Sequence, residues 1–106
     1  MSAPATFSPA ARAAIAGAAT RIRNDNPSAA LRFRRALEDA ARLIGARPEI
    51  GRREPALAGP RFRFWSLAGF PYVMVYNPAV RPPRILRVVH TARDLPAALA
   101  DLRDET

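Results

Sequence analysis

Residues 70–90 read Phe-Pro-Tyr-Val-Met-Val-Tyr, then a proline-rich turn, then Arg-Ile-Leu-Arg-Val-Val-His. Both runs are rich in β-branched and aromatic residues, and a turn between two such runs predicts a β-hairpin. Their hydrophobic density indicates that both of their faces are covered, so we expect them to be the central strands of a sheet. Polar side chains collect where the second strand ends, at Arg87, His90, Arg93 and Asp94. Such a group at a strand end is a candidate binding or catalytic site.

A third strand is predicted just before this hairpin. Residues 61–67 alternate between two sets of side chains, which is typical of a half-buried strand. We expect Phe62 and Phe64 to face the helices and the core, and Trp65 to lie on the other face beside the arginines. For a nucleic acid, that second face would be a stacking platform.

The segments at the two ends of the chain are short. Residues 3–7 can form an edge strand, and the sequence leaves open whether they join the sheet. Asp94 as a cap and Pro96 in the first turn predict a short helix over residues 95–102. Residues 48–60 contain three prolines and two glycines and are predicted to form a loop.

Two helices are predicted in the N-terminal half. Ser8-Pro9 and Asn26-Pro27 each place a capping side chain directly before a proline, which is the signature of a helix start. The first helix is expected over residues 10–24. The second runs from Pro27 to Ile44, with Gly45 as its stop. A connection of one or two residues forces the two helices to run antiparallel.

These elements predict an α+β fold. An N-terminal αα-hairpin packs on a small antiparallel sheet of three or four strands, and a short helix follows at the C-terminus. The length of 106 residues suits a single domain over residues 1–106.

Charge is the strongest compositional feature. The chain has 17 basic residues, all of them arginine, and 9 acidic ones, for a formal net charge of +8. A protein this basic is drawn to polyanions, and we favour an acidic protein partner over direct nucleic-acid binding.

The absence of cysteine and the single histidine exclude a disulfide framework and thiolate or histidine-rich metal sites, so no metal or cofactor is expected. With no signal peptide or spanning segment, we expect a cytoplasmic protein without membrane contact.

Five sequence pieces, in this order, resemble the ParE/RelE toxin superfamily of bacterial type II toxin–antitoxin modules. They are Phe7-Ser8-Pro9-x-Ala11, the Asn-Pro-x-Ala-Ala-x-Arg-Phe start of the second helix, Pro48-Glu49-Ile50-Gly51, Phe70-Pro71-Tyr72-Val73 with Val75-Tyr76, and the run from Arg87 to Asp94.

The resemblance implies one of two activities. RelE-like members are ribosome-dependent mRNA endonucleases, whereas ParE-like members poison DNA gyrase and have no known cleavage chemistry of their own. Both are neutralised by an antitoxin from the same operon.

The nucleases typically carry a tyrosine or histidine near the C-terminus, where this chain has Leu99, and an arginine at the strand position that Val73 holds here. Arg93 matches a phosphate-binding arginine of the nucleases, but gyrase-directed members look similar there.

We therefore expect a ParE-like toxin that is not an enzyme, acts by binding gyrase and is neutralised by an acidic, ParD-like antitoxin. The alternatives are a ribosome-dependent mRNA interferase and a non-toxic homologue that only binds its antitoxin. His90 can act as a lone general base, but a structural role in the turn over 91–94 is favoured. No catalytic residue is assigned. The candidate residues for target or partner contact are Arg61, Arg63, Trp65, Arg84, Arg87, His90 and Arg93.

Overall fold

The computed structural model describes residues 2–103 of the chain. Two helices and a four-stranded sheet account for most of these residues, and the fold is α+β as predicted. The elements in chain order are β1 (Thr6–Phe7), α1 (Pro9–Asp25), α2 (Pro27–Ala46), β2 (Arg63–Ser66), β3 (Tyr72–Asn77), β4 (Arg84–His90), α3 (Leu95–Ala98) and α4 (Ala100–Arg103).

The αα-hairpin forms as the sequence predicts. The Ser8 side chain accepts a hydrogen bond from the Ala11 N–H at the start of α1, and the Asn26 side chain accepts one from the Ala29 N–H at the start of α2. These bonds satisfy amides that lack a partner within the first helical turn. Asn26 alone connects the two helices, so they run antiparallel. The core-facing stripe of α2 is buried at Phe33, Leu37, Ala40, Ala41 and Ile44.

The end of α2 differs from the prediction. Gly45 does not end the helix, which continues to Ala46. It is instead a point of close approach, because a Cβ built there would lie 2.1 Å from the carbonyl oxygen of Ala3. On the solvent side, Asp39 pairs with Arg42 three residues on.

The sheet has the strand order β1-β4-β3-β2. β3 pairs antiparallel with both β2 and β4, as expected for a meander whose central strands are β3 and β4. The N-terminal segment does join the sheet, but through two residues only, and β1 runs parallel to β4. The sheet is therefore mixed rather than purely antiparallel. Gly69, with φ of 82°, occupies the left-handed region in the β2–β3 turn.

Both faces of the sheet are covered, and each has its own apolar cluster. The cluster on the helix side includes Phe33, Ile44, Met74, Tyr76 and Ile85. The cluster on the far side includes these buried residues: Ala58, Phe62, Phe64, Val73, Val75, Val89, Leu99 and Leu102.

The two faces of β2 are therefore the reverse of the prediction. Phe62 and Phe64 pack on the far side of the sheet, against residues of the 48–60 loop and of the C-terminal helices. Trp65 packs against the helix-side cluster. The alternation is confirmed, but the prediction that the phenylalanine set faces the helices is wrong, because apolar groups cover both sides of the sheet.

The C-terminal segment provides the cover of the far face. Asp94 caps α3, since its side chain accepts a hydrogen bond from the Ala97 N–H, as predicted. Residues 95–103 form two short helices rather than one, and Leu99 between them is fully buried. Leu102 in α4 is buried in the same cluster. No described helix is both long enough and apolar enough to cross a membrane.

Candidate functional site

The seven candidate residues do not converge on one site. Arg63 and Trp65 lie on the outer strand β2, with β3 between them and β4. Arg84 is at the start of β4, next to β1, and His90 is at the opposite end of that strand. The structure therefore contains several separate surfaces, and each candidate is described by its own contacts.

Arg63 is engaged by the loop that precedes β2. Its Nη1 donates to the carbonyl oxygen of Gly51 at 2.8 Å and to that of Glu49 at 3.3 Å. These bonds hold the Pro48–Gly51 segment against the sheet. Half-buried and bonded in this way, Arg63 has a structural role.

Tyr76 fixes the same loop from the centre of the sheet. Its hydroxyl donates to the carbonyl oxygen of Pro48 at 2.6 Å and accepts from the Gly51 N–H at 2.9 Å. A Cβ on Gly51 would lie 2.7 Å from that hydroxyl, so only glycine fits without a shift. Burial raises the pKa of the Tyr76 phenol, which favours its neutral, hydrogen-bonding form. The Pro48–Gly51 and Val75–Tyr76 pieces of the sequence thus meet in one buried polar contact.

Arg87 is also used by the fold. Its guanidinium pairs with the carboxylate of Asp101 in α4 and donates to the carbonyl oxygen of Leu86. The pair joins the C-terminal helices to β4. Arg87 is thereby only partly available to a ligand.

His90 makes contacts of the kind expected for a structural histidine in this turn. Its Nδ1 accepts the Ala92 N–H at 3.0 Å, and its carbonyl oxygen accepts the Arg93 N–H at 3.0 Å. Its ring meets the ring of Tyr72 edge-on, with centroids 5.0 Å apart. The Tyr72 hydroxyl in turn accepts a long bond of 3.4 Å from Arg21. These contacts hold the turn that follows β4.

Three arginines remain at the surface. Arg61 lies with its guanidinium carbon 6.0 Å from the centre of the Phe62 ring. Arg84 and Arg93 are exposed and make no side-chain hydrogen bond or ion pair within residues 2–103. The carboxylate next to Arg93 in the sequence, that of Asp94, caps α3. Arg84 and Arg93 are the candidates whose whole guanidinium is available to a phosphate or a carboxylate.

The positions that distinguish the nucleases carry core residues here. Leu99 and Val73 are buried in the far-side cluster. No group of three or more residues among those described, 2–103, is arranged to hold a metal ion. The basic sheet surface expected from the sequence is absent from the far face, because the loop and C-terminal helices cover it.

Two grooves lie on the flanks of α2, and neither is among the sites predicted from the sequence. The first, which we call the hairpin groove, has a volume of about 620 Å³ and lies between α1 and α2. Its lining includes Ile15, Leu31 and Phe33, with Arg12, Arg23 and Arg34 at its rim. Leu31, at 52% exposure, and Val80 are the two large apolar side chains that are exposed among residues 2–103. This exposed leucine on α2 was the one feature of the sequence that could have indicated the groove.

The second groove, the Trp65 groove, lies on the opposite flank of α2 and has a volume of about 560 Å³. Ala36 and Leu43 of α2 line one side, and Trp65 and Phe70 line the other. Trp65 is thus a surface candidate after all, although on the helix side of the sheet. Arg32 and Arg35 of α2 also line this groove.

Comparison with known proteins identifies the family. No curated protein matches the chain. The family model described as "ParE toxin of type II toxin-antitoxin system, parDE" matches residues 5–95, which include both helices of the hairpin and all four strands. The chain therefore belongs to the ParE toxin family of type II toxin–antitoxin systems.

Proposed function

We propose that this toxin inhibits growth by binding and poisoning DNA gyrase, and that an acidic antitoxin neutralises it. Membership of the ParE family is the observation that carries the proposal. The family implies an antitoxin partner. Gyrase as the target follows from the resemblance of the chain to ParE-like rather than RelE-like toxins.

The side chains support action by binding rather than by cleavage. An RNA-cleaving site requires a general base, a general acid and cations around one phosphate. In the described chain, the imidazole Nδ1 of His90 accepts a backbone N–H, and the Tyr76 hydroxyl is bonded on both sides within the core. Leu99 is buried where a nuclease would present a tyrosine. Arg93 can hold a phosphate, but no described acid–base pair stands beside it.

The hairpin groove is suited to the antitoxin. It offers apolar surface at the exposed Leu31 and the half-buried Ile15, and Arg12, Arg23 and Arg34 at its rim form no ion pair among the described residues. An acidic segment that is disordered when free can bury apolar side chains there and pair its carboxylates with the arginines.

Two parallel assays test the target. The purified chain is added to gyrase with plasmid DNA, and separately to a translating extract. We expect loss of supercoiling with accumulation of linear DNA, and intact mRNA. Cleaved mRNA with unaffected gyrase would establish the interferase alternative instead. No effect in either assay, together with normal growth on expression, would establish the antitoxin-binding homologue.

Variants refine that test. Arg84→Ala combined with Arg93→Ala should reduce gyrase inhibition, since both guanidinium groups are exposed and unpaired within the described chain. Arg53→Ala is the matched control, because Arg53 is likewise exposed and makes no described side-chain bond, but lies in the 48–60 loop. Co-purification with the protein of the adjacent reading frame tests the antitoxin. If that protein is not acidic or does not bind, neutralisation by an acidic partner is refuted.

A further inference from the structure

The Trp65 groove has the composition of a protein-binding surface. A tryptophan and a phenylalanine form one side of it, small and aliphatic residues of α2 form the other, and two arginines stand at its edge. Tryptophan and arginine are the residue types that contribute most to binding energy in protein interfaces. An apolar groove of this kind accepts one or two bulky apolar side chains of a partner.

Its charge indicates the chemistry of that partner. Arg35 makes no described side-chain bond, and Arg32 makes only a bond of 3.3 Å to the Ser28 hydroxyl. Asp39, the one carboxylate in the lining, pairs with Arg42. The edge of the groove therefore presents two positive charges without carboxylate partners in the described chain. A segment that carries acidic residues beside its apolar ones is complementary to it.

The groove is separate from the hairpin groove. The two are lined by different faces of α2, with Leu31, Arg34 and Leu37 on one and Arg32, Arg35 and Ala36 on the other. A ligand seated in the hairpin groove leaves the Trp65 groove unfilled unless its chain continues across α2. Both sites can be occupied together.

We propose that the Trp65 groove is a second docking site for the antitoxin, which places an apolar side chain against Trp65 and acidic side chains near Arg32 and Arg35. This inference rests on the proposed neutralisation by an acidic antitoxin. It adds that the antitoxin contacts both flanks of α2.

Trp65 is the only tryptophan in the chain, so it reports on this groove directly. The toxin is labelled with 5-fluorotryptophan, separated from the antitoxin, and titrated with the unlabelled antitoxin from the adjacent reading frame. We expect the single ¹⁹F resonance to shift and to become protected from a soluble paramagnetic agent. A complex that forms while this resonance keeps its position and its accessibility overturns the second site and leaves the proposed function standing.

Charge-reversal variants separate the two sites. Arg32→Glu combined with Arg35→Glu should weaken antitoxin binding by roughly tenfold, since it places like charges at the contact, and should reduce the protection of Trp65. Arg34→Glu, on the hairpin side of the same helix, should weaken binding but leave Trp65 protected in the complex. Arg47→Glu combined with Arg53→Glu, at two exposed arginines outside both grooves, is the control for net charge.

Other occupants have distinct outcomes. A shift of the Trp65 resonance by a short single-stranded DNA, but not by the antitoxin, would assign the groove to nucleic acid and overturn the proposal. Failure of the antitoxin to bind at all would overturn this proposal together with neutralisation. All the substituted arginines are exposed, so circular dichroism is expected to show an unchanged fold.

Discussion

The buried hydroxyl of Tyr76 allows a quantitative test of how the long loop is held. Tyr76→Phe keeps the ring, which is fully buried, and removes one oxygen. The Pro48 carbonyl then loses its donor at 2.6 Å, and the Gly51 N–H loses its acceptor at 2.9 Å. Each buried polar group left unpaired costs about 1–3 kcal/mol. We expect the free energy of unfolding to fall by roughly 2–4 kcal/mol, allowing for some relaxation of the loop.

Urea denaturation followed by circular dichroism measures this loss. With a slope of about 2 kcal/mol per molar urea, the midpoint should fall by roughly 1–2 M. Tyr72→Phe is the matched control, because its hydroxyl accepts only a bond of 3.4 Å from the exposed Arg21. That variant should lose under about 1 kcal/mol. Equal losses in the two variants would refute the view that the Tyr76 hydroxyl holds the loop.

The same hydroxyl predicts a dependence on alkaline pH. Burial raises the pKa of Tyr76 above its ordinary value of 10.0, so the folded chain keeps the proton to a higher pH than the unfolded chain. The stabilisation by the neutral phenol is therefore complete below pH 10.0 and is lost as the pH rises from there through the folded pKa. The stability difference between wild type and Tyr76→Phe should narrow above pH 10.0. A constant difference would contradict the assignment of the shift to burial.

Three further substitutions test other contacts. Ser8→Ala removes both the cap of α1 and the 2.8 Å bond to the Leu86 carbonyl oxygen. In urea titrations it should lower the free energy of unfolding by roughly 1–3 kcal/mol. A loss as small as that caused by the control Ser2→Ala would contradict this role of Ser8. Gly45→Ala should displace residues 3–5 from α2, because the added Cβ would collide with the Ala3 carbonyl oxygen. The Ala5 amide, which donates to the Ala41 carbonyl oxygen, should then exchange its hydrogen faster. Unchanged exchange would show that this contact leaves room for a Cβ at position 45. Arg87→Ala should loosen the C-terminal helices and lower the melting temperature, because it removes the pair with Asp101. Arg93→Ala should leave the melting temperature within about 2 °C of wild type, which corresponds to under about 0.5 kcal/mol. A larger decrease for Arg93→Ala than for Arg87→Ala would mean that the Asp101 pair does not hold α4.

The helical hairpin was predictable because its signals are local. The cap-then-proline pairs at Ser8 and Asn26 mark both helix starts, and the apolar spacing of α2 identifies its buried face. The central position of β3 and β4 followed in the same way from their hydrophobic density. These features depend on residues within one turn or one strand of each other.

The orientation of β2 was not predictable from such local patterns. Alternation tells which residues share a face, but Phe62 and Trp65 are both apolar enough for either side, and the chain covers both sides. Only the docking of Leu99 and Leu102 on the far face decides between them. The parallel pairing of β1 is likewise invisible in a two-residue strand.

The candidate site was less predictable than the fold. In the sequence, the candidate arginines fall together in two strands and one turn. In the structure, individual arginines among them bond to partners in other segments of the chain. Arg87 is paired with Asp101, and Arg63 is bonded to the loop before β2. The two grooves require α2 to be placed against α1 on one flank and against Trp65 on the other, and no local pattern specifies these placements.

The bond between Ser8 and Leu86 has a consequence for how the chain folds during synthesis. It joins residues 78 positions apart, and the strand it reaches is the one that connects β1 to the remainder of the sheet. Contacts of such long sequence separation slow folding, because the intervening chain must be ordered before they form. A ribosome that has produced only the two helices and β2 has released no strand that can pair with β1. We therefore expect the mature toxin surface to arise only after translation is nearly finished, when β4 has emerged.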